Sequence, residues 1–211
     1  MPSEPQGSWF GLDALVRAWA AQSGWEMLAV VLALAYLILA VRQNAWCWAA
    51  ALVSTAIYTV VFWDAALLMQ SALNVYYMAM AVYGWWHWRH GGEGDTPLPI
   101  RRWPLGRHLA ALASIAVAAA ASGALLSAHT EAARPYLDAL ITWGAVVTTF
   151  MVARKVLENW YYWLVIDTVS IGLYLDRGLL LTAALFVGYI VLIFFGIRAW
   201  TPSFRARPAP A

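Results

Sequence analysis

A chain of 211 residues that is 63% hydrophobic and only 11% charged cannot dress a globule in polar surface, since soluble domains carry about 25% charged residues. It therefore reads as an all-α integral membrane protein whose first partner is the lipid bilayer. The formal net charge of +2 says little as a total, no nucleic-acid partner is expected, and the single Cys47 excludes an intramolecular disulfide and reads as a small packing residue.

In chain order, residues 1–24 have no basic segment running directly into an apolar core, so they do not read as a cleaved signal peptide. Trp9, Phe10, Leu12, Leu15, Val16 and Trp19 alternate with polar residues there, as in a stretch lying on the extracytoplasmic membrane surface. Seven apolar stretches follow, each long enough or nearly so to cross about 30 Å of hydrocarbon. They are Trp25–Val41, Ala45–Trp63, Ala65–Trp85, His108–Ser127, Tyr136–Val152, Trp160–Leu175 and Leu179–Ile197, the fifth and sixth being short. His87–Arg107, rich in Gly, Pro and charge, is the one clear linker. The membrane-spanning domain is thus 25–200, followed by a tail at 201–211. Trp85, Trp86 and Trp88, beside Arg89 at a helix end, read as an interfacial belt. Asp64 and Asp176 read as loop residues that precede helices and complement their dipoles.

Basic residues set the orientation. Arg42, Arg89, Arg101, Arg102, Arg107, Arg154, Lys155, Arg198, Arg205 and Arg207 fall on one side, against Arg17, Arg134 and Arg177 on the other. This places the N-terminus outside and the C-terminus in the cytoplasm, in a bacterial inner membrane. A reporter fused to the C-terminus should be active only in the cytoplasm; activity confined to the periplasm would overturn the orientation.

The second half echoes the first at an offset of 112 positions. Asp64/Asp176, Leu67/Leu179, Leu68/Leu180, Ala72/Ala184, Leu73/Leu185, Val75/Val187, Tyr77/Tyr189, Gly84/Gly196 and Trp88/Trp200 are nine identities in 25 positions. Trp48/Trp160 adds a tenth pair further upstream. A shared habit of ending helices with Gly and Trp is the simpler alternative to duplication. Under duplication, repeat one spans 25–88, helix 108–127 is a connector and repeat two spans 136–200. Both units then run the same way through the membrane, a plan known from transporters that hold their solute near the midplane between halves.

Asp167 reads as the only carboxylate placed deep inside a long apolar run. At about 100° per residue, Trp160, Trp163 and Asp167 fall within roughly 60° of one another on a helix. An ionisable group in lipid costs on the order of 3 kcal/mol, so it turns to a protein interior or a wet cavity. Two π-surfaces beside one potential negative charge suit a flat, possibly cationic solute. On helix 3, Gln70, Asn74 and Tyr77 form a polar stripe at i, i+4 and i+7, matched on helix 7 by Thr182, Phe186 and Tyr189. The amides could bind a carboxamide or sugar hydroxyls, or serve as interhelical glue worth about 0.6 kcal/mol each. Ser54, Thr55, Thr59, Thr148 and Thr149 read as hydroxyls bonded back to their own helices.

Other classes fit less well. The sole lysine, Lys155, lies in a loop, which excludes a retinal-type receptor; His87, His90, His108 and His129 sit at or outside helix ends, which leaves an intramembrane hydrolase without a base. No enzyme activity, cofactor or metal site is expected. A proton-coupled pump could use Asp167 as a relay, but the spans offer no second ionisable group to take the proton onward. A membrane sensor remains open.

The run Trp160-x-x-Trp163-x-x-x-Asp167 resembles the Trp-x-x-Trp-x-x-x-Asn/Asp motif of the PnuC family of vitamin transporters. Tyr83-Gly84-Trp85-Trp86-x-Trp88 is similar to that family's Tyr-Gly-Trp-x-x-Trp ending, and Leu173-Tyr174-Leu175-x-x-Gly178-Leu179-x-x-Thr182-Ala183 to its helix 6–7 region. The resemblance covers roughly residues 25–200. It implies seven helices in a three-plus-one-plus-three parallel pseudo-repeat, SWEET-like, assembled as a homotrimer. It implies uptake of a vitamin, nicotinamide riboside first, with thiamine or riboflavin in related branches. Transport there is facilitated diffusion, trapped by a cytoplasmic kinase. Carried over by motif, Trp160 and Trp163 would stack on the aromatic ring and Asp167 would take its polar or cationic part. Gln70, Asn74 and Tyr77 would complete the pocket.

Overall fold

The structure, a computed structural model, describes residues 24–64, 68–130, 134–176 and 180–205. The surface-lying stretch expected within 1–24, its last residue apart, and the end of the tail lie outside these. Seven helices account for the described chain: α1 Gly24–Val41, α2 Cys47–Asp64, α3 Leu68–His90, α4 Leu105–His129, α5 Pro135–Ala153, α6 Asn159–Asp176 and α7 Leu180–Arg205. Among them, α4, α5 and the Thr182–Arg205 part of α7 are long and apolar enough to cross a membrane by length and composition. The expected starts and ends hold within a few residues, except that α3 continues to His90 and α7 through Pro202 to Arg205.

Six helices close a ring. α1 packs on α2, α2 on α3, α3 on α5, α5 on α6, α6 on α7, and α7 returns to α1. α4 stands outside, against α5. Its sequence explains this position: Ala111, Ile115, Ala119 and Gly123 form a stripe with a four-residue period, small apart from Ile115, and these are its buried residues. Leu105, Leu109, Leu112, Val117 and Leu125 on the same helix are exposed. Exposed Val60, Val165, Phe194 and Phe195 continue that apolar outer surface around the ring, as lipid contact demands.

The turns after α1 and α5 share one construction. Gln43 and Lys155 take positive φ, 56° and 48°. Asn44 N–H bonds Leu39 O at 3.0 Å and Gln43 N–H bonds Ala40 O at 3.0 Å; Val156 N–H bonds Met151 O and Lys155 N–H bonds Val152 O, both at 2.9 Å. These are Schellman closures, which satisfy the last carbonyls of a helix through a left-handed residue. Glycine is the usual occupant, and an L-residue there costs about 1 kcal/mol or more.

Four tryptophans cap the ring at the end that holds these turns. Trp48, Trp88, Trp160 and Trp200 are each no more than 2% exposed. Trp48 meets Trp88 edge-on at 5.6 Å, Trp160 meets Trp200 edge-on at 5.3 Å, and Trp88 meets Trp200 at 5.9 Å. Trp88 Nε1–H donates to Val152 O at 3.0 Å, and Trp200 Nε1–H donates to Ala40 O at 3.1 Å. Each indole thereby closes the C-terminal turn of a helix from the opposite half. Gly84 and Gly196 let the cluster form, because a Cβ on either would fall under 3.0 Å from the Trp48 or Trp160 ring respectively.

Several expectations need correction. Trp88 is core rather than belt; Trp86, at 59% exposure, keeps the belt role, while Trp85 packs edge-on against Trp46 and under the Arg89 guanidinium. Asp64 and Asp176 do not precede helices from a loop: they are the last residues of α2 and α6. A carboxylate at a C-terminus opposes the helix dipole, and Asp176 offsets this by pairing with Arg134 at the start of α5. The loop between α3 and α4 is a strap and not a loose linker. It buries Leu98 and Ile100, and Arg101 exchanges backbone hydrogen bonds with Lys155 and Leu157 at 3.0 and 2.8 Å. Arg102 adds an ion pair to Glu158 at 2.9 Å. Cys47 is, as expected, a fully buried packing residue.

Candidate functional site

The ring encloses a cavity of about 380 Å³. All six ring helices line it and α4 does not. Its walls are mostly apolar and aromatic, the composition expected of a small-molecule site.

The three residues drawn together by helical spacing do meet here: Trp160, Trp163 and Asp167 all line the cavity from α6. Tyr77 lines it from α3. Asn74, one turn earlier, is buried but is not among the lining residues. The side chain of Gln70 lies outside the described ones.

Asp167 is the ninth of the 18 residues of α6 and is 4% exposed. Its carboxylate makes no hydrogen bond or ion pair among the described residues, and Tyr189 lines the same cavity. Three further polar groups on the wall lack partners among the described residues: the indole nitrogens of Trp48 and Trp160 and the hydroxyl of Ser170. A buried donor without an acceptor costs about 1–3 kcal/mol. Thr149 and Thr55 bond back to their own helices as the sequence suggests, to Ala145 O and Ala51 O, both at 2.8 Å; Ser54 corrects that expectation, since it donates across to Ala29 O on α1.

Among the lining residues missed from sequence, two carry the most weight. Trp48 sits 112 positions before Trp160, so the internal offset already marked it. Asp138 lies in the first turn of α5 and borders the same cavity. It falls inside the fifth apolar stretch, which corrects the expectation that no second ionisable group lies within a span. Tyr36, Tyr174 and Phe186 complete an aromatic lining that a single-helix face could not disclose. No cluster of metal-ligating side chains occurs among the described residues.

A six-helix ring closed around an aromatic, acid-bearing cavity and offering an apolar outer face is the architecture of a small-molecule membrane carrier. The family model described as nicotinamide mononucleotide transporter matches residues 23–202, and the chain belongs to that family. It is 28% identical to the riboflavin/roseoflavin transporter RibM of Streptomyces davaonensis, over 83% of each chain. It is 24% identical to the nicotinamide riboside transporter PnuC of Escherichia coli K12, over 76% of this chain and 77% of that one. The crystal structure of the vitamin B3 transporter PnuC shares the fold, with a TM-score of 0.70 at 20% identity, covering 95% of this chain and 90% of that one. The protein is thus a transporter and not an enzyme, of the PnuC type its tryptophan motif resembles.

Proposed function

We propose that this protein carries a vitamin with a flat aromatic ring into the cell, nicotinamide riboside first, by facilitated diffusion. The observation that carries this choice is Asp167: an acid without an ion-pair partner among the described residues, set in an aromatic cavity beside Trp160 and Trp163. A pyridinium ring between indoles gains cation–π attraction of about 0.5 kcal/mol when exposed and about 2 when desolvated. The carboxylate then complements the charge or accepts ribose hydroxyls. The unpartnered indole N–H groups and Ser170 would serve the solute's own oxygens.

Two other solutes compete. Riboflavin is favoured by the 28% identity to RibM, against 24% to the nicotinamide riboside carrier. Thiamine carries a cationic ring that would use Asp167 in the same way. Full-length protein in liposomes, offered the three labelled solutes separately, decides among them. Saturable uptake of the riboside is expected, and its absence beside uptake of riboflavin would transfer the assignment.

The finer mechanism belongs to the same proposal. The halves act as parallel repeats, three helices plus a connector plus three, as in SWEET-like carriers. The matching Schellman turns and the Trp48/Gly84 and Trp160/Gly196 contacts support this. The three connections gathered at one end carry Arg42, Arg101, Arg102 and Arg154, which supports a cytoplasmic placement of that end and of the C-terminus. A homotrimer and trapping by a cytoplasmic kinase follow from the resemblance alone. Asp138 supplies a second carboxylate on the cavity, so proton coupling stands as the rival mechanism. Uptake that collapses with an uncoupler in kinase-free vesicles would favour it, and binding without flux would favour a sensor.

A further inference from the structure

A second cleft, of about 520 Å³, opens at the end of the ring that holds the Schellman turns and shares no lining residue with the central cavity. Gln43, Asn44, Arg89, His90, Asp95 and Lys155 line it, with the Trp88 indole as its apolar wall.

Lys155 is the anomaly. It is 6% exposed, yet its ammonium has no hydrogen bond or ion pair among the described residues. Its contact is the Trp88 ring, 4.6 Å from Nζ to the centroid. An aromatic face attracts the charge but accepts none of its N–H groups in line. Asp95, on the same cleft, forms no ion pair with it. Burial pulls the ammonium down from 10.5 to about 8, against an opposing pull from Cys47, so it stays largely charged at neutral pH. The residue also holds a left-handed backbone, φ 48°, where glycine would be unstrained. A buried cation at a strained position is doubly costly, and among the described residues only the Trp88 ring offsets part of the first cost. The matching turn residue, Gln43, is neutral and has a partner, donating Nε2–H to Ser203 at 3.0 Å.

The neighbouring donors point the same way. Asn44 uses Oδ1 to accept from Trp46 N–H at 3.0 Å, which leaves its amide NH₂ for the cleft. Gln43 keeps a second N–H, and Arg89 adds a guanidinium. Two cations and two amides around one opening suit an acceptor with several anionic oxygens.

We propose that this cleft binds a phosphate-bearing anion, with Lys155 as its principal contact and Arg89, Gln43 and Asn44 completing the donor set. The phosphate could belong to a soluble phosphomonoester or to a lipid headgroup, which the half-exposed Trp86 nearby would meet at the membrane surface. The proposal does not depend on which vitamin the central cavity takes.

Full-length protein, purified in detergent and stripped of lipid, would be titrated with inorganic phosphate at constant ionic strength while Trp fluorescence is followed. Saturable quenching or enhancement is expected, because Lys155 lies against Trp88. Lys155→Gly should weaken the half-saturating concentration at least tenfold while melting no lower than the parent, since glycine relieves the left-handed strain and keeps the turn's backbone bonds. A parallel arm uses both proteins in phosphatidylcholine nanodiscs with and without phosphatidylglycerol. Discrimination by inorganic phosphate assigns the site to a soluble ligand, and discrimination by phosphatidylglycerol alone assigns it to a headgroup. Parent and Lys155→Gly behaving alike in both arms would overturn the proposal.

Discussion

Trp163→Ala is expected to weaken vitamin binding between about fivefold and more than a hundredfold while leaving a folded, membrane-inserted protein. The magnitude follows from aromatic stacking, worth about 1–3 kcal/mol per ring by alanine substitution. The folding half follows from position: Trp163 lines the cavity and is only partly buried. Trp160→Ala should behave differently. Its indole is 1% exposed and wedged between Gly196 and Trp200, and removing a buried tryptophan costs about 3–5 kcal/mol. Equilibrium binding of labelled solute, with thermal unfolding in the same detergent, separates the two. A Trp163→Ala protein that binds as tightly as the parent would remove Trp163 from the site, whatever happens to Trp160.

These neighbouring tryptophans of one motif therefore divide the labour. Trp163 lines the cavity and is only partly buried, whereas Trp160 lines it while held by the cap and keeps an unpartnered N–H. Helical spacing could place both on the face of Asp167, and it did so correctly. It could not grade them, because the grading depends on Gly196 in α7 and on Trp200, both distant in sequence. Asp138 escaped for a related reason. One turn into a helix it looks like an end residue, and only the packing of α5 against α3 and α6 brings it to the cavity wall. The helices themselves were legible, since runs of apolar residues long enough to span need no tertiary information. The strap between α3 and α4 was not legible. Gly, Pro and charge describe its composition, whereas its order comes from Leu98 and Ile100 under the bundle and from Arg101 bonding the α5–α6 turn.

The cap also has a consequence for how a cavity can sit inside so greasy a ring. Trp48 and Trp160 belong both to the cap and to the cavity lining. The same two rings thus close one end of the site and supply its donors. Each of these indoles is packed against a glycine, Gly84 or Gly196, that has no side chain to yield. The turn residues Gln43 and Lys155, just below the cap, are fixed by Schellman bonds to the helices the indoles close. Any rearrangement there must move the α1–α2 and α5–α6 turns together with their tryptophans.

Gly84→Ala and Gly196→Ala are each expected to destabilise the protein by about 3 kcal/mol, the upper end of the usual cost of inserting a methyl group into a packed core. The added Cβ would stand 2.6 Å from Trp160 Cε2 in one case and closer still to Trp48 Cε2 in the other. The obstructing atom is not the free end of a flexible chain. Each indole is enclosed by a second tryptophan, so it cannot retreat without breaking the cap. Gly172→Ala and Gly188→Ala provide the contrast, because a Cβ at either meets nothing within 4 Å. They lie on α6 and α7, each twelve residues along its helix from the cap's Trp160 or Trp200, and alanine there should add up to about 1 kcal/mol through helix propensity. Thermal unfolding in detergent would order the four variants, with Gly84→Ala and Gly196→Ala lowest. If Gly196→Ala melted with Gly188→Ala, the indole would have room to move, and the close helix approach that defines this end of the cavity would be wrong.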